Sequence, residues 1–389
     1  LALFNYFWSI IKAKNREKRI KKEQVFYERL AHQRKIIILD KEQVKLELQY
    51  RLQQRGIKPF HRVLGQLRTI YASEMSNWEP HQIPPALGKF GPNVVYSLKE
   101  HGFLTGKDGW LAQRDNFDKD LLSFVKAEHK KQPVDVFISY LSGWHVAPET
   151  IRAITHMGII TCAFHWDDRL SFRGRQAGGR WSGPASLAAA YDLNLTNAPA
   201  SLIKYFAEGG LAIFWPEGAN PDHFRPLLRP FEFDVTFVGA CYGQRPDYIK
   251  YLRKNGVKIE AFGPGWPRGS VTEQEMVEIY ARSRINLGFS GIGYSMKEMC
   301  LKGRDFEVPM CGHLYLTSDQ PDLYRVYEVG KEIITYRSKV DCLSKIRYFL
   351  EQPEEGALIR QRVRERCLRD HTWEHRFADL FKLLGVLHD

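Results

Sequence analysis

The chain contains 389 residues, of which 44% are hydrophobic and 26% are charged, and its formal net charge is +12. That length is more than one hydrophobic core usually fills, so it predicts two domains. The composition is typical of a globular protein and excludes a collagen-like, a mucin-like or a wholly disordered chain.

The first eleven residues are apolar and rich in aromatic side chains. They are too few to span a bilayer, and neither a positive segment nor a small-residue cleavage site marks a signal peptide. Because the sequence begins with Leu, one possibility is that these residues are the end of a longer hydrophobic segment. The alternatives are contact with a membrane surface and packing against this protein or a partner.

Residues 12–35 carry more than half of the net positive charge, with ten Lys or Arg against three Glu. Such a segment suits anionic lipid, an acidic glycan or nucleic acid, and a solvated basic helix is an equal alternative. Aromatic residues are not interleaved with the basic ones in a nucleic-acid-binding pattern, so we expect no nucleic-acid partner. Residues 1–55 are therefore a candidate for peripheral membrane contact or oligomer contact.

Residues 12–54 are rich in Lys, Glu, Gln, Arg and Leu and lack Gly and Pro, which predicts a helix throughout. Gly56 and Pro59 end this helix. We expect residues 1–56 to form a basic helical extension outside the catalytic core.

From residue 57 onward, short β-branched runs alternate with amphipathic helical stretches. The first predicted strands are Val94–Leu98, Val134–Leu141, Gly158–Phe164, Asp192–Thr196 and Leu211–Trp215. Predicted helices between them include Asp118–Lys131, Pro148–His156 and Ala200–Glu208. A stretch with four prolines between residues 216 and 230 then indicates a linker.

A second alternating series follows the linker. Its predicted strands are Asp234–Gly239, Val257–Phe262, Arg284–Phe289, His313–Thr317 and Glu332–Tyr336. Its predicted helices are Pro246–Asn255, Glu273–Ser283, Leu323–Val326, Val340–Leu350 and Glu355–Arg369, with a last helix over residues 372–387. We expect an α/β chain with doubly wound domains over residues 57–225 and 226–371, and a C-terminal helix over 372–389 that packs back toward the first domain.

The six cysteines form no C-x-x-C pair, and several lie in apolar runs. This pattern predicts reduced, mostly buried thiols in a cytoplasmic protein, so any membrane contact would be at the inner face. No zinc, P-loop or nucleophile-elbow pattern is present, and no D-x-D motif lies at the end of a predicted strand, so we expect no catalytic metal and no bound cofactor.

In open α/β sheets, ligands bind at the carboxyl ends of the strands, and the segment Lys302–Gly312 lies between two predicted strands. A carboxylate such as Glu307 can accept hydrogen bonds from the two hydroxyls of a ribose there. Lys302 and Arg304 can meet a diphosphate, and a helix start adds free backbone N–H groups. The alternative is a surface ion pair between Arg304 and Glu307.

This segment resembles the C-terminal domain of family-1-type glycosyltransferases, specifically the CgeB-like (spore maturation protein) branch. The resemblance covers roughly residues 130–380 and continues through the stretches 215–221, 237–239, 330–333 and 371–377. It implies the GT-B fold, in which two Rossmann-like domains face each other. It also implies a nucleotide-diphosphate-sugar donor and no obligatory metal.

By this resemblance, Glu307 corresponds to the ribose-binding carboxylate, five residues before a Gly. Gly239 and Arg245 correspond to the Gly and the basic residue that face the diphosphate. Many retaining members have a second Glu eight residues before the first. Met299 stands at that position and Glu298 is next to it, which leaves both the role of Glu298 and the stereochemistry open.

Two glycine-containing loops follow strands of the second series. In the first, Gly265 would let backbone approach a ligand and Trp266 would stack on a base or sugar; the alternative is an ordinary tight turn. In the second, Ser290 and Gly291 belong to a flexible loop that could hold the diphosphate or the sugar.

In the N-terminal half, His165, Trp166, Asp167 and Asp168 follow a predicted apolar strand. We predict that His165, Asp167 and Asp168 deprotonate or hold an acceptor hydroxyl; contact of His165 with the donor sugar and helix capping by an Asp are the alternatives. The stretch Ser142–His145 would line the same cleft. The arginines between residues 169 and 180 indicate a mobile basic loop for an anionic acceptor, or a solvated one.

The expected function is transfer of a sugar from a nucleotide-diphosphate-sugar to a hydroxyl of a glycan, a lipid-linked glycan or a protein. One alternative is a non-catalytic module of the same fold in cell-surface or spore-coat assembly. Another is a different two-domain enzyme, such as a sugar epimerase.

Overall fold

A computed structural model describes residues 2–57, 60–76, 78–295 and 297–388, with backbone alone for residues 2–10. The chain divides into two compact units. The N-terminal unit comprises Ile20–Pro216 and Glu374–Asp389, and the C-terminal unit comprises Leu1–Arg19 and Glu217–Trp373.

The predicted helix over residues 12–54 is two helices, α1 (Ala2–Gln33) and α2 (Lys41–Gln54). The prediction of continuity was wrong because Lys35 has a left-handed φ of 54° and Asp40 starts a new helix. The Asp40 carboxylate accepts from the Gln43 N–H while the Gln43 side chain accepts from the Asp40 N–H. This capping box fixes the start of α2.

The segment predicted as an extension takes part in the core of the N-terminal unit. Tyr27 on α1 is fully buried and packs edge-to-face on Phe172. Val44, Leu48 and Leu52 form the buried stripe of α2. Residues 20–56 therefore belong to the N-terminal unit, which differs from the predicted boundary at residue 56.

The N-terminal unit contains a six-stranded parallel sheet, with strand order β2-β1-β3-β4-β7-β8. Its strands are β1 (Thr69–Ser73), β2 (Asn93–Ser97), β3 (Val136–Ser139), β4 (Ile160–His165), β7 (Leu193–Thr196) and β8 (Ala212–Phe214), and a small antiparallel pair is β5 (Gln176–Ala177) with β6 (Arg180–Trp181). Its further helices are α3 (Ile83–Gly88), α4 (Trp110–Lys131), α5 (Pro148–Thr155) and α6 (Leu202–Ala207).

Five of these sheet strands match predicted ones, but β1 was not predicted. All five residues of β1 are buried between β2 and β3. The strand is short and Arg68 precedes it, so no long apolar run marks it in the sequence.

The C-terminal unit contains a five-stranded parallel sheet, with strand order β10-β9-β11-β12-β13. Its strands are β9 (Phe233–Val238), β10 (Ile259–Phe262), β11 (Ser283–Leu287), β12 (Tyr315–Ser318) and β13 (Ile334–Tyr336). Its helices are α7 (Arg245–Lys254), α8 (Glu273–Ala281), α9 (Arg304–Met310), α10 (Lys339–Glu351) and α11 (Pro353–Asp370), and the predicted helix Leu323–Val326 is a 3-10 turn over Pro321–Arg325. Every strand predicted for this half is confirmed within two residues at each end.

The last helix, α12 (Trp373–Leu384), supplies core residues to the N-terminal unit. Its Phe377 packs against Trp215 and its Phe381 against Phe90, with ring centres 5.5 and 5.0 Å apart. Five of the six cysteines are buried, as predicted, and all six are free thiols. Within the described ranges, no helix has the length and apolar character needed to cross a membrane.

Candidate functional site

The strand order of the C-terminal sheet reverses between β9 and β11, so their carboxyl ends flank the point where such sheets bind ligands. The loops that follow β9 and β10 meet there. Gly263 has a φ of 123°, and a side chain on it would place Cβ 2.6 Å from the carbonyl oxygen of Gly239. Only glycine permits this approach of the two loops.

Two arginines lie close together beside Gly239. A Cβ atom on Gly239 would be 3.3 Å from the guanidinium carbon of Arg304. The guanidinium carbons of Arg245 and Arg304 lie 5.4 and 5.8 Å from the centre of the same Phe237 ring. Arg245 is only 5% exposed and donates a 3.0 Å hydrogen bond to the carbonyl of Ala240.

The electrostatics of this pair favour an anion. Burial and, after it, the positive charge of Arg304 lower the pKa of Arg245 to about 10. Within the described part of the chain, the buried Nε of Arg304 has no hydrogen-bond partner. An unpaired buried donor next to a second cation is costly unless an anion accepts from it.

Glu307 lies one turn into α9 and is 8% exposed, so it is not part of a surface pair. A Cβ on Gly303 would be 2.7 Å from Oε1 of Glu307, so the carboxylate lies against the backbone at the start of the helix. After burial itself, the negative charge of Glu307 is the largest influence that raises the pKa of Tyr280.

Most N–H groups around the start of α9 already have partners, contrary to the expectation that they are free. The N–H of Asp305 donates to Lys302, and those of Phe306 and Glu307 both donate to Gly303. The Lys302 N–H donates to the Asp305 carboxylate at 2.8 Å. Anion binding would therefore depend on side-chain cations.

Asp305 was not singled out from the sequence. It is fully buried, and its carboxylate also accepts a 3.0 Å hydrogen bond from the Tyr315 hydroxyl. Burial raises the pKa of Asp305 to about 6. Its partners show that it fixes the loop before α9.

Trp266 and Gly265 shape the loop after β10. The Trp266 indole N–H donates a 2.7 Å hydrogen bond to the Gly239 carbonyl, and its ring packs edge-on against Phe237. Gly265 is exposed with a φ of 86°. These contacts favour the tight-turn alternative, with Trp266 holding the backbone of Gly239 in place.

Ser290, Gly291 and Glu298 lie in the loop after β11. Gly291 and Met299 form an antiparallel bridge, and the Ile292 N–H donates to the Glu298 carbonyl at 2.9 Å. Ser290 is buried, and its N–H donates a long 3.4 Å hydrogen bond to Oγ of Ser318. The loop predicted as flexible is thus closed on itself by backbone hydrogen bonds.

The first part of α1 also contacts this loop. The Lys12 ammonium lies 5.6 Å from the centre of the Tyr294 ring, and Glu17 accepts a hydrogen bond from Oγ of Ser295 at 2.5 Å. Tyr294 in turn packs edge-on against Tyr242 in the loop after β9.

The N-terminal sheet reverses its strand order between β1 and β3, and a cavity of about 440 Å³ lies at the carboxyl ends of β1, β3 and β4. The polar residues that line it are Glu74, Ser76, Glu79, Ser142, His145, His165, Asp167, Asp168, Ser171 and Ser182. Small-molecule sites typically have volumes of about 300–1,000 Å³. The structure thus brings the predicted residues His165, Asp167 and Asp168 together with the predicted stretch Ser142–His145.

His165 ends β4 and is 4% exposed. Burial lowers its pKa to about 3, helped by the charge of His145, so the imidazole is neutral at physiological pH. Within the described residues, its buried Nε2 has no hydrogen-bond partner. A neutral imidazole with one unused nitrogen suits contact with a ligand hydroxyl.

Asp168 is buried, and its Oδ2 accepts a 2.8 Å hydrogen bond from the Tyr205 hydroxyl. Burial raises the pKa of Asp168 above its ordinary value. The neighbouring Asp167 is exposed and has a left-handed φ of 62°, which is unusual for a residue other than glycine. Such strained backbone occurs often at functional sites.

Glu74 follows β1 and was missed because β1 itself was missed. Its Oε1 lies 3.4 Å from Nε2 of His145. Nδ1 of His145 accepts a 3.0 Å hydrogen bond from the Ser142 N–H, so its Nε2 is the nitrogen that can donate to Glu74. The hydrogen bond from His145 to Glu74 lowers the pKa of the Glu74 carboxyl.

The arginines predicted to form a mobile basic loop are packed instead. Arg173 stacks 3.8 Å from the centre of the Phe26 ring, and Arg175 lies 4.7 Å from that of Trp144. Arg180 donates to the carbonyls of Gly143 and His145. The prediction was wrong for these three side chains because aromatic and backbone partners are available on both sides.

No group of three or more His, Cys, Asp or Glu side chains within the described ranges is arranged to hold a metal ion.

Several solved structures have the same arrangement of elements. Sucrose-phosphate synthase from Thermosynechococcus elongatus superimposes with a TM-score of 0.57 at 12% identity, over 81% of this chain and 98% of that one. A glycosyltransferase from Rickettsia africae gives a TM-score of 0.55 at 10% identity, over 82% and 98% of the two chains. The chain has the GT-B fold.

A third GT-B structure is Anabaena HepE in complex with UDP and glucose, with a TM-score of 0.52 at 11% identity, over 82% of this chain and 99% of that one. Residues 245–382 match the model of a family described as glycosyl transferase-like. The matched segment begins at Arg245 and includes Lys302, Arg304 and Glu307. No curated protein matches the sequence.

Proposed function

We propose that this GT-B protein transfers a sugar from a nucleotide-diphosphate-sugar to a hydroxyl of a glycan, a lipid-linked glycan or a protein. The family match over residues 245–382 supports the reaction class, and the UDP and glucose held by HepE indicate the class of donor. The CgeB-like branch is part of the proposal, supported by the motif around Glu307.

The observation that carries the proposal is the buried pair Arg245 and Arg304 at the carboxyl end of β9. Two close cations, one with an unused buried donor, are stabilised when a dianion lies between or beside them. A diphosphate supplies this charge. As the sugar is transferred, the pair and Lys302 would stabilise the charge that develops on the leaving diphosphate without a metal.

Glu307 would accept hydrogen bonds from the ribose hydroxyls. The loops after β9, β10 and β11 would surround the rest of the donor, with Gly239, Gly265 and Gly291 leaving room for it. Trp266 would keep Gly239 in place, whereas Ser290 and Glu298 would contribute polar groups from the third loop.

The cavity of the N-terminal unit would hold the acceptor. His165 is too weak a base to take a proton near neutral pH, because its pKa is about 3, and would contact a hydroxyl by hydrogen bonding. Asp168, whose pKa is raised by burial, is the better base, and its Oδ1 lacks a hydrogen-bond partner within the described residues. Asp167 would approach the acceptor from the exposed rim.

We further propose a cytoplasmic protein that contacts the inner face of a membrane through residues 1–55. Lys14, Lys18, Lys21 and Lys22 are all exposed on α1, which suits anionic lipid headgroups.

A thermal-shift screen of UDP, GDP, dTDP, ADP and CMP tests the donor site. A ligand that binds only the folded state raises the melting temperature. We expect one nucleotide to stabilise the wild type at millimolar concentration and Glu307→Ala to remove that effect, whereas the exposed Glu351→Ala keeps it. If no nucleotide stabilises the wild type, the non-catalytic module becomes the better explanation.

A further inference from the structure

The charged side chains that line the cavity of the N-terminal unit are acidic. Four of its lining residues carry carboxylates, namely Glu74, Glu79, Asp167 and Asp168, and none of the described lining residues is Lys or Arg. The whole chain has a net charge of +12, so this acidity does not follow from its composition. A phosphate or carboxylate placed here would lose its hydration without gaining a Lys or Arg partner among these lining residues.

Three of the four arginines between residues 169 and 180 are held by partners outside the cavity. The guanidiniums of Arg173 and Arg175 stack on aromatic rings, and Arg180 donates to backbone carbonyls. Moving any of them into the cavity would break these contacts.

Glu74 is the carboxylate best placed for a ligand. Its side chain is 43% exposed, whereas Glu79 is fully buried and already accepts from the Tyr71 hydroxyl and the Ser76 N–H. His145, fixed by the Ser142 N–H, holds one oxygen of Glu74. A carboxylate held in this way can accept hydrogen bonds from two neighbouring hydroxyls, as acidic residues do with ribose.

The cavity also offers aromatic surface. Tyr140 and Trp166 line it and are partly exposed, and their ring centres are 5.1 Å apart. The C–H faces of a sugar ring are apolar and can pack on such rings. Carboxylates beside partly exposed aromatic rings thus match both the hydroxyl edge and the apolar face of a sugar.

We infer that this cavity binds an uncharged sugar ring as the acceptor, with Glu74 accepting hydrogen bonds from its hydroxyls and His145 as a positioning residue. The inference rests on the proposed glycosyl transfer and narrows its acceptor to a neutral glycan end. According to this inference, the part of the acceptor that enters the cavity is neither a uronic acid nor a phosphate.

The test uses the full chain and matched pairs of probes that differ by one carboxylate. Methyl glucoside, methyl galactoside and methyl mannoside are each titrated beside the corresponding uronic acid glycoside, with binding followed by saturation-transfer NMR. We expect at least one neutral glycoside to bind and its uronic acid counterpart to bind about tenfold more weakly or not at all. Equal or tighter binding of the acidic probe, or no binding of any neutral probe, would overturn the inference.

Glu74→Gln and His145→Ala locate the site. Each should weaken the neutral glycoside about tenfold, and Glu74→Gln should also narrow the discrimination against the acid. Because His145 acts through Glu74, the double variant should bind no more weakly than either single one, which a merely structural role would not produce. Glu149→Gln is the control, because Glu149 is exposed, does not line the cavity and forms an ion pair with Arg152 at a helix surface. Unchanged binding in Glu74→Gln would show that the glycoside binds elsewhere.

The nucleotide screen on the same samples separates the two proposals. If a nucleotide binds but no glycoside does, the donor site is supported and the acceptor inference is contradicted. Charge-selective glycoside binding without nucleotide binding leaves a sugar site on a protein that is not the proposed transferase.

Discussion

The hydroxyl of Tyr205 on α6 donates a 2.8 Å hydrogen bond to Asp168, and both side chains are buried. Tyr205→Phe removes the donor and leaves a buried carboxylate oxygen without it, so we expect the free energy of unfolding to fall by about 1–3 kcal/mol. Urea unfolding measures the change. Tyr324→Phe is the control, since the exposed Tyr324 hydroxyl donates to Asp319, and it should cost no more than about 0.5 kcal/mol. Equal losses would mean that burial of the Asp168 pair has no special effect.

Arg245 should lower the stability of the empty protein, because burial and the charge of Arg304 disfavour its positive form. Arg245→Met keeps the aliphatic volume and removes the charge. We expect the free energy of unfolding to rise by roughly 1–3 kcal/mol, and the loss of the hydrogen bond to Ala240 offsets part of this gain. Nucleotide affinity should fall at least tenfold, because the diphosphate loses one cation. Calorimetric titration and urea unfolding give the two numbers. Arg229→Met, at an exposed ion pair with Glu278, should change neither, and a large loss of stability in Arg245→Met would show a structural role.

Gly303→Ala should separate affinity from stability. Gly303 has a helical φ of −48°, and the three atoms nearest to the added Cβ would belong to the Glu307 carboxylate, the closest at 2.7 Å. The flexible Glu307 side chain can move away, so stability should stay within about 1 kcal/mol, whereas a displaced carboxylate should weaken nucleotide binding about tenfold. Gly88→Ala is the matched control, because nothing lies within 4 Å of its Cβ. Undiminished nucleotide affinity in Gly303→Ala would remove Glu307 from the donor site.

His165 predicts a loss of stability in acid. Its pKa falls from 6.5 to about 3 on folding, so between these values the unfolded chain binds a proton that the folded chain does not. Stability contributed by neutral His165 is complete above pH 6.5 and is lost toward pH 3, at up to about 1.4 kcal/mol per pH unit. His165→Gln should flatten the slope of unfolding free energy between pH 6 and 4, and the exposed His32→Gln should not. Parallel slopes for wild type and His165→Gln would contradict the buried, neutral imidazole.

Glu23 on α1 accepts from the N–H groups of Phe172 and Arg173 and lies 3.5 Å from the fully buried ammonium of Lys204. Glu23→Gln leaves that buried cation without its carboxylate, so we expect a loss of about 3–5 kcal/mol. Adding Lys204→Met should restore much of it, as a double-mutant cycle of melting curves would show. The exposed Glu28→Gln on the same helix should be near neutral. If Lys204→Met does not restore the stability lost in Glu23→Gln, the loss comes from the two backbone hydrogen bonds to Glu23.

The sequence predicts the elements whose signals are local. β4 is an apolar run that ends in His165, and the polar residues after it do line a cavity. β1 is equally buried, but its five residues follow an arginine and carry no strong pattern. Because β1 was not predicted, Glu74 could not be recognised as a residue that follows a strand and therefore as a candidate for the site.

Side-chain partners explain the remaining differences. The break between α1 and α2 depends on Asp40 and Gln43 capping each other, which a composition without Gly or Pro does not reveal. Tyr27 lies in a basic segment that suggests solvent exposure, yet its ring is covered by Phe172. In the C-terminal unit the spacing around Glu307 predicts a carboxylate near two cations, but only the structure shows that the N–H groups of Asp305 and Phe306 already have partners.

The N-terminal unit contains residues from both the first half and the end of the chain, which affects the order in which the two units can fold during synthesis. Multidomain chains generally fold domain by domain from the N-terminus during synthesis. Here the N-terminal unit lacks α12 until Glu374 onward has been made, and all of Glu217–Trp373 emerges first. Until then Phe90 and Trp215 lack the rings of Phe381 and Phe377 that cover them. The N-terminal unit is thus the last to be completed, and these aromatic faces stay uncovered while the other unit is made.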